Sequence, residues 1–466
     1  MSKKFYIATS IAYTNALPHV GFALELVQAD VLARYHRDLG DDTFFLTGTD
    51  EHGRKVAEAA EKLGKTPKDF TDELSDKFRG LTKALNVSND DFIRTTDRTR
   101  HWPAVKDFWL ELKEKGDIYK KKYQGLYCVG CEAFITKKDL KDGKCGIHQK
   151  EPEVVEEENY FFRLSKYSKE IERIIKTDKI RIIPPARGNE MLAFMRQGLE
   201  DVSFSRPSKD LSWGIPVPGD ETQTIYVWAD ALINYFSGAP GRWPADLHCV
   251  GKDIFKFHSL IWPGMLLSLG LPLPKAILVH GFITVAGQKI SKSLGNVVDP
   301  FELIEKYGAD AVRYFLLREI PPTEDGDYTQ QKLEGRYNAD LASGLGNLVA
   351  RVITLAQKSE IRNPKFETNS KFKIQINKTR DDCKEALRAF KFNEALRAIW
   401  ELISFCDKYI ERERPWETKD PKVISNLLFT IENIAELLKP FLPETSEKIL
   451  KQLKDKKSEP LFPRID

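Results

Sequence analysis

No apolar stretch of this 466-residue chain approaches the roughly 20 residues needed to cross a bilayer, which argues against a helical membrane span. No targeting leader is expected either. Met1-Ser2-Lys3-Lys4 runs straight into a strand-like Phe5-Tyr6-Ile7-Ala8, too short for a signal core and without the Arg/Ser richness of a transit peptide. Cysteine is scarce: six residues in so long a chain exclude a disulfide framework and fit a reducing compartment. The expected location is therefore the cytoplasm. Neither charge sign dominates, because 72 Lys plus Arg stand against 69 Asp plus Glu for a formal charge of +3. Any nucleic-acid surface must then be a local patch. Internal repeats and low-complexity tracts are absent as well.

What is present is enough apolar material, 41% hydrophobic and 11% aromatic, for large cores and about three domains. Residues 5–9 read as a buried strand, 10–18 as a loop, and His19 to Leu39 as a helix with Ala23, Leu26, Val27, Ala29, Leu32 and Ala33 near helical spacing before Gly40. A second strand, Thr43 to Leu46, leads into Thr47-Gly48-Thr49-Asp50-Glu51-His52-Gly53. Strand, helix and strand with polar residues at the strand ends describe an open parallel sheet, whose carboxyl edge is where ligands bind. From Gly116 the chain becomes a Lys-rich, Cys-containing insert, with an acidic connector at 153–158. Strand-like pieces return at Ile225 to Trp228, Leu247 to Val250 and Ala276 to Val279, followed by Asp230, Gly251-Lys252-Asp253 and His280-Gly281. After Pro321-Pro322 the pattern turns helical. The stripe Ala395, Leu396, Ile399, Leu402, Ile403, Cys406 and Ile410 closes at Arg414-Pro415.

Five constellations carry chemistry. Lys289-Ile290-Ser291-Lys292-Ser293 sets two ammonium groups and two hydroxyls between Gly287 and Gly295, suiting a mobile loop that closes on phosphates. Its bland alternative is a solvated loop. His19-Val20-Gly21 opens the first long helix, where unpaired N–H groups and the positive dipole end admit phosphate and Gly21 leaves room. Alternatively His19 caps the helix and Gly21 relieves packing. Asp50, past the second strand, can hold an ammonium group, or it and His52 form only a surface turn. Trp228, Ala231 and Tyr235 form a pocket wall or plain core. Cys128-x-x-Cys131 and Cys145-x-x-His148 have the paired spacing of a tetrahedral zinc site, closed and hence structural. Cys249, Cys383 and Cys406 read as packing residues.

Over essentially the whole chain these residues resemble the class I aminoacyl-tRNA synthetases, and within them the methionine-specific, single-zinc-knuckle branch. His19-Val20-Gly21-Phe22 is similar to the family's His-Ile-Gly-His signature, and Lys289 to Ser293 to its Lys-Met-Ser-Lys-Ser loop. Tyr226 to Tyr235 and Gly251 to His258 resemble segments forming the amino-acid and ATP sites.

The resemblance implies a Rossmann-like parallel-sheet catalytic domain split by a zinc-containing insert, followed by an all-α anticodon-binding bundle. The expected divisions are 1–115 and 225–274 for the two catalytic halves, 116–224 for the insert, 275–330 for the lysine-loop and stem-contact region, and 331–466 for the bundle. It implies that Asp50 holds the α-ammonium of L-methionine while Ile11, Tyr13, Trp228, Ala231, Tyr235 and His258 enclose the thioether. ATP, carried with Mg²⁺, would meet His19, Gly21, Phe22, Gly251, Asp253, Lys289, Ser291 and Lys292, with His19, Lys289 and Lys292 catalytic. One Zn²⁺ would sit on Cys128, Cys131, Cys145 and His148. Asn347, Arg351, Pro415 and Trp416 would read the anticodon of tRNA(Met), the initiator included. The implied reaction forms methionyl-adenylate and then methionyl-tRNA.

Phe22 departs from the pattern by replacing the signature's second histidine. The rival readings are a synthetase for cysteine, isoleucine, leucine or valine, a tRNA-binding protein without activity, and a nucleotidyltransferase with no tRNA partner. The insert is too short for a large editing domain, and a pure binder has no use for the lysine loop. A monomer is expected, since the chain ends soon after the bundle.

Overall fold

The computed structural model describes residues 2–465 apart from 131–132, 136–138, 148, 291–294 and 359–368. It divides into two compact units. One comprises Met1–Pro18, Leu39–Thr82 and Ser88–His280, the other His19–Asp38, Lys83–Val87 and Gly281–Asp466.

A seven-stranded sheet forms the centre of the first unit. Its strands are β1 (Lys4–Thr9), β2 (Ala12–Tyr13), β3 (Asp42–Asp50), β4 (Asp91–Arg94), β5 (Arg181–Ile183), β6 (Leu247–Gly251) and β7 (Ala276–His280), in the order β5-β7-β6-β1-β3, with β2 and β4 also on β3. Every pairing is parallel, in registers such as Ile7↔Leu247, Ile7↔Phe45, Val250↔Val279 and Leu46↔Asp91. Parallel strands are covered on both faces, so they read as continuous apolar runs; all five residues of β6 are buried, as are five of six in β1. A shared strand direction gathers Thr9, Asp50, Gly251 and His280 at one edge.

Three sequence expectations are corrected. Ile225 to Trp228 is not a strand of this sheet. Asp220–Ile225 pairs antiparallel in a separate three-stranded sheet, and Val227–Ala231 is helical. A β-branched and aromatic run has strand propensity, but helical turns place Trp228 and Ala231 on the edge, and tertiary packing overrides propensity. The acidic segment is likewise no connector. Glu153–Phe162 is a strand pairing with Ile118–Cys128, where Lys122 lies opposite Glu158 and Lys120 reaches the same carboxylate at 3.7 Å. Finally, a strand survives beyond Pro322, since Gly326–Tyr328 pairs with Ile283–Val285.

In the second unit the helix Val20–Asp38 is buried almost all round its first three turns. Asp30 on this helix pairs with Arg313 at 2.8 Å, and the fully buried guanidinium also donates to the carbonyls of Phe441 (2.8 Å), Pro440 (3.0 Å) and Leu85 (3.1 Å). One buried cation thus ties three chain segments together. Helices Asn347–Lys358, Ser370–Arg388, Phe392–Glu413, Pro421–Leu438 and Pro443–Asp455 follow. The expected stripe from Ala395 to Ile410 is buried, and Arg414 ends its helix in the left-handed region at φ 46° before Pro415. Among the described residues no helix is long and apolar enough to cross a membrane.

Candidate active site

At the carboxyl edge of the first unit, Asp50 is the last residue of β3 and pairs in register with Tyr13. Its carbonyl accepts from the Thr14 N–H (2.9 Å) and hydroxyl (3.1 Å), so the backbone beneath the carboxylate is fixed; the residue is only 6% exposed. Ile11, Tyr13, Trp228 and Tyr235 join one hydrophobic cluster. Trp228 stacks on Phe257 with ring centroids 3.8 Å apart and meets His258 edge-on at 6.3 Å. Ala231 is buried alongside.

His258 Nδ1 lies 3.0 Å from the Ile254 carbonyl, which can only accept, so Nδ1 carries the proton. Nε2 therefore accepts from the Tyr235 hydroxyl at 2.7 Å. Burial lowers the His258 pKa to about 4 against the opposing pull of that carbonyl, and burial with His258 nearby pushes His248 well below its ordinary value. At neutral pH both rings are uncharged, and aromatic, uncharged walls suit a polarizable thioether. On the neighbouring turn, the Asp253 carboxylate packs close over Gly251: a Cβ there would sit 2.7 Å from Asp253 Oδ1 and would make that side chain move.

The same edge carries a group that sequence reading passed over. Asp230 Oδ2 is 2.6 Å from His52 Nδ1, Oδ1 is 2.6 Å from His101 Nε2, and His101 Nδ1 is 2.7 Å from Ser237 Oγ. Asp230 and His101 have no exposure and His52 only 2%. Burial pushes the Asp230 carboxyl up, but the two imidazoles outweigh it and hold the group below its usual range. His101 had no local signal, lying alone at the start of an ordinary helix.

The second unit holds the phosphate-site candidates. The bland reading of His19 is partly realised, since its Nδ1 accepts from the Gly21 N–H at 3.0 Å. Gly21 is needed for that arrangement: a Cβ would lie 2.8 to 2.9 Å from the His19 ring. Phe22 is half-buried on the first turn. Ile283–Val285 and Gln288–Lys289 form a hairpin, register Thr284↔Lys289, whose turn is held by Asp327 accepting from Gly287 N–H (2.7 Å) and the Thr284 hydroxyl (2.8 Å). Ser291 and Lys292 lie outside the described residues. Beyond them, the Val298 carbonyl accepts from the Val20 N–H at 3.4 Å, so the chain leaving the lysine loop meets the first helical residue after His19.

Cys128 and Cys145 are buried in one small cluster with Ile135, flanked by Leu126 and Leu140. Their expected companions, Cys131 and His148, lie outside the described residues. Cys249, Cys383 and Cys406 are buried, as packing residues should be. In the helical region, Arg351 sits one turn beyond the exposed Asn347, pairs with Glu411 at 2.7 Å, and lies 6.0 Å from the ring of Trp416, which is 45% exposed and follows Pro415.

A parallel sheet with this edge, followed by a helical bundle, is the architecture of a class I aminoacyl-tRNA synthetase. The family model "tRNA synthetases class I (M)" matches residues 5–139 and 135–353, and "Anticodon-binding domain of tRNA ligase" matches 371–463. Methionine--tRNA ligase of Thermotoga maritima is 42% identical over 97% of this chain and 75% of its own length; that of Brucella suis is 40% identical over 96% and 91%. The structure of Mycobacterium tuberculosis methionyl-tRNA synthetase in complex with methionyl-adenylate superposes with a TM-score of 0.92 at 37% identity, covering 99% of this chain and all of that one. The chain belongs to the methionine--tRNA ligase family, whose reaction activates methionine with ATP and charges tRNA with it.

Proposed function

We propose that this chain ligates L-methionine to tRNA(Met), the initiator included, with the Asp50 edge binding the amino acid and the His19 and lysine-loop elements meeting the triphosphate of ATP. The observation that carries the reading is the Val20 to Val298 hydrogen bond, which ties the chain leaving Lys289-Ile290-Ser291-Lys292 to the His19 turn. Asp50 orients the α-ammonium, while Ile11, Tyr13, Trp228, Ala231, Tyr235 and His258 enclose the thioether. The methionine carboxylate attacks the α-phosphorus in line and pyrophosphate leaves. A hydroxyl of the tRNA's terminal adenosine then attacks the activated carbonyl and AMP leaves. His19, Lys289 and Lys292 meet the charge that builds on phosphoryl oxygens, Gly251 and Asp253 face the ribose side, and Mg²⁺ arrives with ATP. Asn347, Arg351, Pro415 and Trp416 read the anticodon. The reading includes a cytoplasmic monomer. Methionine-dependent exchange of pyrophosphate into ATP tests it, and an inactive chain, or one driven by another amino acid, would sink it.

Phe22 cannot donate to a phosphate oxygen. Since one such donor is worth roughly a hundredfold or more in rate, Phe22→His should raise the exchange rate by roughly tenfold or more. A rate that stays level would show that this position does not act on the phosphates.

A structural Zn²⁺ held by Cys128, Cys131, Cys145 and His148 fits the shared burial of Cys128 and Cys145. It would supply cross-linking of the insert and no chemistry at the edge. Cys131→Ser should release the ion and make the insert more susceptible to proteolysis; one equivalent of zinc retained in the purified variant would refute this ligand set.

A further inference from the structure

Asp230 lies on the turn Val227–Ala231, between Trp228 and Ala231, and its carboxylate reaches across to His52, two residues beyond Asp50. Its other oxygen takes His101, the first residue of the helix His101–Glu114. An ionised carboxylate only accepts, so both imidazoles must donate to it. His52 is further confined by Trp102 and Trp213, whose rings meet it edge-on at 5.9 and 5.7 Å, and the Trp213 indole N–H donates to the Glu51 carbonyl at 2.5 Å. Three chain segments that meet nowhere in the sequence are therefore registered on a single buried charge. A network buried this completely is worth more than its separate contacts, and half of it is worse than none.

We propose that Asp230 is a positioning residue for methionine: through His52 and His101 it sets the distance between the strand end that carries Asp50 and the turn that carries Trp228 and Ala231. This rests on the reading that those three residues bind methionine. Asp230 touches no substrate. Its substitution should therefore act on the amino acid and leave ATP alone.

Asp230→Asn keeps the shape but offers one acceptor and one donor, so the two imidazoles can no longer both donate. In methionine-dependent pyrophosphate exchange, the KM for methionine should rise about tenfold, with the KM for ATP within about twofold of the parent value. His52→Leu, which removes a donor from the opposite segment, should give the same selective rise, whereas His52→Asn, whose amide nitrogen can take the place of the Nδ1–H donor, should recover most of the loss. If Asp230→Asn does not fold, the two His52 variants carry the test by themselves. An unchanged methionine KM in Asp230→Asn and His52→Leu overturns the proposal, as does a parallel rise in both KM values. Trp228→Ala separates the two levels: if it leaves the methionine KM unchanged, the pocket assignment itself has failed; if it raises that KM while Asp230→Asn does not, only the positioning role has.

Discussion

Asp50→Asn should lower kcat/KM for methionine by about two to three orders of magnitude, because truncating one partner of a buried charge pair costs about 2–5 kcal/mol and each 1.4 kcal/mol is tenfold. Asp50 is 6% exposed, and its backbone is held by the register with Tyr13 and by both Thr14 hydrogen bonds. The amide that replaces the carboxylate carries no charge, so a bound ammonium would be left desolvated and uncompensated. The amide keeps the volume, so unfolding should be unaffected and the effect should fall on methionine, with the KM for ATP nearly constant. Pyrophosphate exchange at varied methionine measures it. A methionine KM within about threefold of the parent, when even a single buried charge partner is worth tenfold, would remove Asp50 from the ammonium role.

The largest expected effect on stability lies in the second unit. Arg313→Met should destabilise by about 3–5 kcal/mol and lower the unfolding temperature by on the order of 10 °C. The guanidinium is fully buried and pairs with Asp30 while donating to three carbonyl oxygens from Leu85, Pro440 and Phe441. Methionine fills most of the volume but takes the guanidinium away from those oxygens and from Asp30, which retains Arg34 at 2.8 Å. Arg313→Lys should recover only part of the loss, because a single ammonium cannot span the fork of acceptors. Since Asp30 lies on the helix that begins after His19, adenylation should also decline in the variant before global unfolding begins. Calorimetry with activity measured along the melt checks both; a shift of under about 2 °C would show that the network adds nothing.

Much of the fold was legible because it is written in periods. The continuous apolar runs of β1, β6 and β7 belong to strands covered on both faces, and the 3.6-residue stripe from Ala395 to Ile410 belongs to a helix lying against a core. The misread pieces share one cause. Glu153 to Glu158 has the composition of a linker, and its strand character comes from pairing along its whole length with the distant strand Ile118–Cys128, where Glu158 meets Lys122. Ile225 to Trp228 has strand propensity, yet the chain turns helical after Ile225 to bring Trp228 against Phe257. In the candidate site the short His19-x-Gly21 spacing could be read from the chain alone, and the structure brings its two ends together through the Gly21 N–H and His19 Nδ1.

The sequence by itself indicated the family through its motifs, and the parallel sheet and the helical bundle through spacing within a few turns or strand lengths; for ammonium, phosphate and zinc it named candidates. Only the tertiary structure decided that His52, His101 and Asp230 share one buried charge, and that Asp30 belongs with Arg313. Those partners are separated by 129 and 178 residues in the first case and by more than half the chain in the second. A charged side chain carries no local mark of its partner. Whether it ends in water or in a desolvated pair is settled by which surfaces close over it, and that is a property of the folded whole.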